Sequence, residues 1–448
     1  MKILIVGGVA AGTSAAAKAS RENPDAEIVL MERDTDISYA GCGLPYYISG
    51  VISSRKEIIA NYPDEFAEKY GVDVRTGHEV TDINHENRSV KYTDLANDVC
   101  SSEDYDKLVL ATGASPVKPP IPGIDLNNIF TLRKVKDAEI IKREAGNLKN
   151  NSVTIVGAGL VGLEMAEAFS RLDMEVTVVE QMEHVLPMLP AGLAEKLEEH
   201  LIDRGVELVL GDGVKKFEGN EKVEKVITAA GKELDTDLVL VSVGIRPETE
   251  LAEAAGVKLG AGGAVRVNER METDRENIYA CGDCAETVNL VTGEKIWAPL
   301  GSTANKQGRV AGACAAGGDA RHRGVLKTGI TKVFDFTCAA TGLREEEATE
   351  AGFDPVSITI DVPNHAGYYP GADYFTLQGV FDRETGKILG AAGVGNDGVN
   401  KRVDVLASAV YSGNTADDLF QMDLAYAPPY STPKDPVAVL GMVAGKKL

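Results

Sequence analysis

The sequence predicts an α/β fold, because a buried strand, a glycine-rich turn and a helix follow one another twice in it. The first copy begins with KILIVG at residues 2–7, and the second begins with SVTIVG at residues 152–157. A strand that passes through glycine into a helix is typical of a doubly wound parallel sheet, the Rossmann-like arrangement. The 448 residues leave room for two or three domains of about 100 to 200 residues each.

The first glycine turn has the features of a dinucleotide site. Gly7 and Gly12 allow a helix N-terminus to approach a pyrophosphate, whose charge the free amides and the helix dipole stabilise. The next strand, AEIVLME, ends at Glu32, about twenty residues beyond Gly12, where a carboxylate accepts ribose hydroxyls. Val9 replaces the middle glycine of the GxGxxG pattern, so this copy is an incomplete match.

The second glycine turn matches the pattern fully. The strand EVTVVE ends at Glu180, and a glutamine and a methionine follow it instead of an arginine. This favours a free ribose 2′-hydroxyl over a 2′-phosphate, and therefore NADH over NADPH. The alternative is a glycine turn that only packs a helix on a sheet. Two dinucleotide sites in one chain indicate that electrons pass between two cofactors. The three glycines of this turn are Gly157, Gly159 and Gly162.

Composition limits the remaining function classes. A formal net charge of −22 argues against a nucleic-acid partner, because phosphate binding needs an excess of lysine and arginine. The sequence shows no signal-peptide pattern and no apolar run long enough to span a bilayer, so we expect a cytoplasmic protein. Its six cysteines then belong to a reducing compartment. The CxxC motif of Cys281 and Cys284 has no second copy, so no metal site is predicted.

Three further motifs resemble the pyridine nucleotide-disulfide oxidoreductases, over essentially the whole chain. They are YDKLVLATGASP at residues 105–116, LVLVSVGIRP at 238–247 and NIYACGDCAE at 277–286. The resemblance implies that the first Rossmann unit holds FAD and the second holds the nicotinamide nucleotide. It also implies that Asp283 hydrogen-bonds FAD and that the helix near residues 302–312 directs its N-terminus at the flavin. The cofactor-binding positions implied are Gly7, Gly12, Glu32, Arg33, Thr112, Gly113, Asp283, Gly157, Gly159, Gly162, Glu180 and Gly244.

The segment SYAGCGLPYYISG places one cysteine, Cys42, in the loop after Glu32. Relatives with a dithiol carry a second cysteine where this chain has Tyr47, so no internal disulfide forms there. The oxidised cysteine would be a mixed disulfide, a persulfide or a sulfenic acid, and all three need a thiolate. We therefore expect a lowered thiol pKa at Cys42. Related NADH oxidases and peroxidases keep a histidine where this chain has Ala10, which argues against peroxide chemistry.

The single-cysteine branch that this chain resembles is coenzyme A-disulfide reductase, together with relatives that reduce coenzyme A persulfide or polysulfide. The motifs are SYAGCGLPYY, NHAGYYPGA at residues 364–372, VGNDGVNKRVDVLA at 394–407 and LAYAPPYSTPKDP at 424–436. The resemblance implies a homodimer in which Tyr368 and Tyr426 of one subunit assist the Cys42 chemistry of the other. The alternative for the two tyrosines is interface packing.

Coenzyme A carries phosphates, which a net-acidic protein must meet with local cations. Lys18 and Arg21 lie three residues apart near the C-terminal end of the first predicted helix. The alternative to phosphate binding is that these two cations only stabilise the helix dipole. Gly41 replaces the asparagine that usually precedes the cysteine in this branch. The substrate-binding positions that the resemblance implies are Ser14, Lys18, Arg21, Ser38, Asn305 and Lys434.

The predicted architecture is two Rossmann-like dinucleotide-binding domains plus a C-terminal α+β dimerisation domain, with no rhodanese domain. The boundaries are 1–115 and 255–325 for FAD, 116–254 for NADH and 326–448 for dimerisation. Electrons are expected to pass from NADH, or alternatively NADPH, through FAD to a Cys42 adduct of coenzyme A or sulfur. The first alternative is an NADH oxidase or peroxidase that cycles through a cysteine sulfenic acid. The second is a redox sensor without turnover.

Overall fold

Two five-stranded parallel sheets follow the two glycine turns, and a five-stranded antiparallel sheet forms the last part of the chain. A computed structural model describes residues 1–148 and 150–448. The predicted fold class, two Rossmann-like units and a C-terminal α+β unit, is confirmed. The exact domain boundaries stay predictions. None of the helices among the described residues has both the length and the apolar character to cross a bilayer.

The first sheet is built around the opening strand, where Ile3, Leu4 and Ile5 are completely buried. Parallel neighbours on both sides bring the carboxyl ends of its strands to one edge, next to the first glycine turn. In sheet order the strands are Ile278–Ala280, Lys107–Leu110, Lys2–Val6, Glu27–Glu32 and Asp73–Thr76.

Two helices cross closely beside this sheet because small residues meet at the crossing. They are Ala10–Glu22, which follows the first turn, and Gly301–Ala315, which starts one residue before the predicted helix. A Cβ atom on Gly308 would overlap the backbone of Ala11, and one on Gly312 would overlap the backbone of Ala15. The crossing therefore requires glycine at these two positions.

The second sheet repeats the arrangement of the first around Ser152–Val156. Its strands, in sheet order, are Glu207–Val209, Glu175–Val179, Ser152–Val156, Leu238–Val241 and Ile129–Phe130. The helices of this unit are Val135–Ala145, Leu160–Ser170 and Ala191–Asp203.

The C-terminal sheet is antiparallel throughout, and its central strand Ile388–Gly395 is buried along its whole length. The strand order is Gly329–Val333, Phe336–Gly342, Ile388–Gly395, Tyr374–Asp382 and Pro355–Pro363. The helices of this unit are Glu345–Glu350, Val399–Ser412, Ala416–Gln421 and Pro436–Ala444.

Smaller elements connect these units. Two three-stranded antiparallel sheets consist of His78–Asn84, Ser89–Asp94 and Val99–Asp104, and of Val214–Glu218, Lys225–Thr228 and Glu233–Asp235. Two antiparallel pairs join Ala114–Pro116 to Ile245–Pro247 and Thr287–Val288 to Lys295–Ile296. The short helices are Gly41–Gly43, Leu44–Ile48, Arg55–Ile58, Pro63–Tyr70, Glu250–Ala254, Ala261–Gly263 and Gly282–Cys284.

The segment that carries Cys42 lies against the second parallel unit, although it follows the first sheet in sequence. Leu44 and Ile48 share one hydrophobic core with Leu163 of the helix after the second glycine turn. The same core includes Val333 and Cys338 of the C-terminal sheet. This packing places the cysteine where all three units meet.

Candidate active site

The first glycine turn leaves amides available to an anion. Gly7 has a φ of +103°, in the region that favours glycine. The helix that begins at Ala10 has no side chain capping its N-terminus. The buried Glu32 carboxylate accepts from the amides of Gly8, at 2.7 Å, and Asp34, at 2.9 Å. Burial raises the pKa of Glu32, and the two amides partly offset this effect.

The second glycine turn has the same hydrogen bonds around Glu180. Its carboxylate accepts from the amides of Ala158, at 2.7 Å, and Met182, at 2.9 Å. Gly157 has a φ of +104°, and a Cβ atom on Gly162 would overlap the carbonyl of Gly157. The space beside Gly159 is open. The turn is therefore tight where the helix packs and open where a pyrophosphate would lie.

The remaining predicted cofactor residues lie at the carboxyl edges of the two parallel sheets. Thr112 Oγ1 donates to the Glu248 carbonyl at 2.6 Å, and the Gly113 carbonyl accepts from the Glu248 amide at 3.0 Å. Gly244, with a φ of +107°, immediately precedes the strand Ile245–Pro247, and its carbonyl accepts from the Val117 amide at 3.0 Å. Arg33 is exposed and its guanidinium lies 4.0 Å from a carboxylate oxygen of Glu79.

Asp283 lies on the short helix Gly282–Cys284 and points to a cation from the second unit. One oxygen of its carboxylate is 3.7 Å from Nη2 of Arg133. Among the described residues, no hydrogen bond reaches this carboxylate. Burial raises the pKa of Asp283, and Arg133 opposes the rise. The side chain therefore keeps its hydrogen-bonding capacity for a ligand.

Cys42 is a free, exposed cysteine at the start of the helix Leu44–Ile48. Partial loss of hydration raises the pKa of its thiol, and the carboxylates of Glu164 and Asp283 raise it further. Arg133 lowers the pKa, but by less. Burial and these two carboxylates therefore raise the thiol pKa in the protein alone, whereas the lowered pKa expected beside a bound, reduced flavin stays a prediction.

Sequence reasoning missed two of these neighbours, Arg133 and Glu164. Glu164 lies two residues beyond Gly162, on the helix of the second glycine turn, and accepts from Thr331 at 3.1 Å. Arg133 donates from Nε to the Ala114 carbonyl at 2.8 Å. Both residues reach the cysteine from the second unit, so no local pattern around Cys42 could have identified them.

Tyr47 occupies the position at which dithiol relatives carry a second cysteine, and Lys142 of the second unit holds it. The Lys142 ammonium donates to the Tyr47 carbonyl at 2.6 Å and lies 4.1 Å from the centre of its ring. A charge over an aromatic face adds stabilisation to such a contact. The cysteine segment is therefore fixed to the second unit at both ends of its short helix.

The structure brings two of the predicted substrate residues into contact. Asn305 donates to the Ser14 hydroxyl at 2.9 Å across the crossing of the two long helices. Arg21 reaches the Tyr70 hydroxyl at 3.4 Å, and Lys18 pairs with a glutamate one turn away. Ser38 has a φ of 49° and its hydroxyl accepts from a neighbouring asparagine. These five residues all lie on the first unit.

Tyr368, Tyr426 and Lys434 lie on the C-terminal unit. Tyr368 is 78% exposed and Tyr426 is 47% exposed, so both phenols are accessible to a partner subunit. A hydrogen bond with Tyr368 raises the pKa of Tyr426. Among the described residues, no hydrogen bond or ion pair joins these three side chains to Cys42. Their predicted contribution to the Cys42 site of a partner subunit stays a prediction.

The other cysteines serve packing. Cys281, Cys284, Cys314 and Cys338 are buried free thiols, and burial raises the pKa of each. Cys100 is exposed in a surface strand. The described part of the chain contains no group of three or more metal-ligating side chains positioned to hold a metal ion.

Comparisons with known proteins agree on the family. A model described as pyridine nucleotide-disulphide oxidoreductase matches residues 1–308, and a model of the dimerisation domain of the same family matches residues 328–436. The described architecture accounts for both matches.

Three curated relatives span nearly the full chain. The NAD(P)H coenzyme A polysulfide/persulfide reductase of Pyrococcus horikoshii is 39% identical and covers 99% of this chain and 98% of its own. The NADH oxidase of Methanocaldococcus jannaschii is 36% identical, covering 100% and 99%. The coenzyme A disulfide reductase of Staphylococcus haemolyticus is 34% identical, covering 99% of both chains.

A solved structure has the same fold throughout. The NAD-dependent persulfide reductase of A. fulgidus superposes with a TM-score of 0.97 at 42% identity. The match covers 100% of this chain and 83% of that one.

Proposed function

This chain belongs to the pyridine nucleotide-disulphide oxidoreductase family, and from that premise we propose that it reduces coenzyme A disulfide, persulfide or polysulfide with NAD(P)H. The observation that carries the proposal is Cys42, a single accessible thiol with a tyrosine in place of a second cysteine. A lone thiol that exchanges with a disulfide must keep one half of its substrate as a mixed disulfide.

The first unit fits FAD. The uncapped helix after Gly7 suits the pyrophosphate, and the buried Glu32 suits the ribose hydroxyls. Asp283 has a carboxylate with no hydrogen-bond donor among the described residues, which suits a hydroxyl of the ribityl chain. We assign Arg33, Thr112 and the glycine after it to the same site. When bound, FAD would accept a hydride from the nicotinamide and supply an electron pair near Cys42.

The second unit fits NADH. The open space beside Gly159 suits the pyrophosphate, and the Glu180 carboxylate suits both hydroxyls of the adenosine ribose. No arginine follows the acid to meet a 2′-phosphate, so we propose NADH as the preferred donor. Gly157, Gly162 and Gly244 shape the same site.

Cys42 performs the exchange. Its thiolate attacks one sulfur of the substrate, a new S–S bond forms, and the departing sulfur leaves with the electron pair of the old bond. The second product is released when the Cys42 adduct is reduced. In the protein alone, burial and the carboxylates of Glu164 and Asp283 oppose formation of the thiolate, and Arg133 favours it.

The coenzyme A phosphates are assigned to the first helix and its neighbours. Asn305 donates a hydrogen bond to the Ser14 hydroxyl. The other residues assigned to the phosphates on the first unit are Lys18, Arg21 and Ser38. Lys434, from the partner subunit of a homodimer, completes the site together with the two tyrosines. We propose that these tyrosines, Tyr368 and Tyr426, protonate the departing sulfur.

The test is replacement of the nucleophile, Cys42→Ser, in the FAD-loaded enzyme. We expect the variant to lose coenzyme A disulfide reduction, measured both as NADH oxidation and as thiol release. NADH should still bleach the flavin absorbance. The matched control is Cys100→Ser, the other exposed cysteine, which should behave as the parent. Mass spectrometry of untreated protein should find a coenzyme A or sulfur adduct on Cys42. Full activity of the serine variant would falsify the proposal.

The second candidate is an NADH oxidase, which the 36% identity to the oxidase of M. jannaschii favours. An oxidase would carry Cys42 as a sulfenic acid and consume oxygen with NADH at a rate comparable to its disulfide turnover. Oxygen uptake measured beside thiol release separates the two. An added oxygen on Cys42 in the mass spectrum, without any coenzyme A adduct, would select the oxidase.

A further inference from the structure

A cavity of about 400 Å³ lies in the C-terminal unit beside Tyr426. Three separated segments line it, namely residues 364–365, residues 397–402 and residues 425–430. The first and third segments are joined by a hydrogen bond from the Ala366 amide to the Pro428 carbonyl at 3.3 Å. One of the two tyrosines assigned to the leaving sulfur therefore borders this cavity.

His365 lines this cavity with one ring nitrogen free. The side chain is only 6% exposed, and its Nδ1 lies 3.2 Å from the Ala366 carbonyl. A carbonyl can only accept, so Nδ1 carries the proton and Nε2 keeps its lone pair. Within residues 1–148 and 150–448, Nε2 has no hydrogen-bond partner. The Tyr369 ring stands edge-on to the imidazole with centroids 5.5 Å apart, which fixes its orientation.

The other charged groups around the cavity already have partners. Arg402, 2% exposed, donates to Asp435 at 3.2 Å and to the Asn364 carbonyl at 3.0 Å. The Lys401 ammonium lies 3.5 Å from the same aspartate. Asp397 accepts from the Asn364 amide group at 3.5 Å. The imidazole is therefore the lining group free to exchange a proton.

We propose that His365 is a positioning residue that returns the proton used by the tyrosine pair when the substrate sulfur departs. The inference rests on the proposed function. It also accounts for a feature of the sequence: the first histidine of the chain is His78, so the segment that carries Cys42 has none. The imidazole comes instead with the C-terminal unit, on the same side as Tyr426.

The proton balance is complete without a further reactant. The Cys42 sulfur bonds to one sulfur of the substrate, the S–S bond breaks, and its electron pair stays on the departing sulfur. That sulfur takes the proton of the Tyr426 hydroxyl and leaves as a thiol. Nε2 of His365 takes up the one proton that each departing thiol consumes, from the solvent that reaches the cavity, and passes it to the phenolate. The tyrosine is then neutral for the next turnover.

The experiment uses the FAD-loaded enzyme and three variants, His365→Ala, His365→Asn and His365→Gln. An asparagine amide keeps a donor close to the position of Nδ1, and a glutamine amide reaches the position of Nε2 without acting as a base. For all three we expect kcat for coenzyme A disulfide to fall at least tenfold, while KM and flavin bleaching by NADH stay unchanged. Free imidazole should restore the alanine variant saturably, because the cavity has room for it.

The matched control is His85→Gln, a histidine in a surface turn of the first unit, which should keep the parent kcat with and without imidazole. Full activity of the asparagine variant, or an alanine variant that imidazole does not restore, overturns the inference, because either result assigns a structural role to the ring. If the parent enzyme itself fails to reduce the disulfide, the proposed function fails instead. The two failures are therefore distinguishable.

Discussion

At the scale of single residues, Cys42 is surrounded by charges from distant parts of the chain. Glu164 and Asp283 raise its thiol pKa, and Arg133 lowers it. A carboxylate oxygen of Asp283 lies 3.7 Å from Nη2 of Arg133, so each of these two charges reduces the effect of the other on the sulfur. Within residues 1–148 and 150–448, no cation pairs with Glu164, and its side chain accepts one hydrogen bond, from the Thr331 hydroxyl. It is therefore the carboxylate that most directly opposes formation of the thiolate.

Replacing this carboxylate, Glu164→Gln, should lower the Cys42 pKa and still accept the Thr331 hydrogen bond. We expect about threefold faster alkylation by iodoacetamide at pH 8, because more of the thiol is ionised. Burial raises the pKa of Glu164 itself. The difference between the variants should therefore disappear once the pH is low enough to protonate this carboxyl group.

The measurement is the pH profile of alkylation on the NADH-reduced enzyme, with Cys42→Ser to establish the background rate. Glu175→Gln, an exposed position in the same unit, is the control. Equal or slower alkylation of the Glu164 variant would mean that its carboxylate does not act on the thiol.

The sequence could identify some of these residues and not others for a physical reason. Glu32 and Glu180 were found by spacing, because a strand, its turn and the next strand form a local unit. Arg133 and Glu164 approach the cysteine through tertiary packing, so their positions depend on how two units meet. The thiol pKa in the protein alone also depends on tertiary packing, because burial and these distant groups together determine it.

At the scale of elements, the crossing of Ala10–Glu22 and Gly301–Ala315 connects the first glycine turn to the later part of the FAD unit. The glycine pattern predicts the first of these helices. It does not predict that this helix packs against the second one, which begins almost 300 residues later in the chain. The first two strands of each Rossmann unit were predicted, whereas the short antiparallel sheets were not. Within those sheets, Val99–Asp104 is almost wholly exposed and Ser89–Asp94 has one buried residue, so neither shows the pattern of a buried strand.

A methyl group at the crossing should destabilise the enzyme. In Gly308→Ala the new Cβ meets the backbone of Ala11, and overpacking of this kind costs about 1 to 3 kcal/mol. We expect an apparent Tm lower by about 3 °C and faster loss of FAD during dialysis. Gly301→Ala is the matched control, because nothing lies near its added atom. If Gly308→Ala kept the Tm and the FAD content of the Gly301→Ala control, the helix crossing would not require glycine at this position.

At the scale of the whole molecule, the proposed site needs a dimer, because the proposal takes the nucleophile from one subunit and the two phenols from the other. A dimerisation domain of the family covers residues 328–436, where both tyrosines lie. If each site takes its cysteine from one subunit and its phenols from the other, two inactive chains can restore one another.

The prediction is that heterodimers of a Cys42→Ser chain and a Tyr368→Phe, Tyr426→Phe chain regain activity. One of the two sites then has an intact cysteine and intact phenols, so we expect about half of the parent turnover per dimer. Each chain carries a different affinity tag so that the mixed dimer can be isolated. If the mixed dimers were as inactive as the two variant homodimers, each site would use the phenols of its own chain.

The hydrophobic core around Leu163 has a consequence for any attempt to divide this enzyme into parts. It includes Leu44 from the cysteine segment and Val333 from the C-terminal sheet, both of which lie outside residues 116–254. A fragment cut at the predicted boundaries would expose these apolar contacts to water and lose their stabilisation. Because all three units contribute to this one core, removing any of them takes stabilising contacts from the other two.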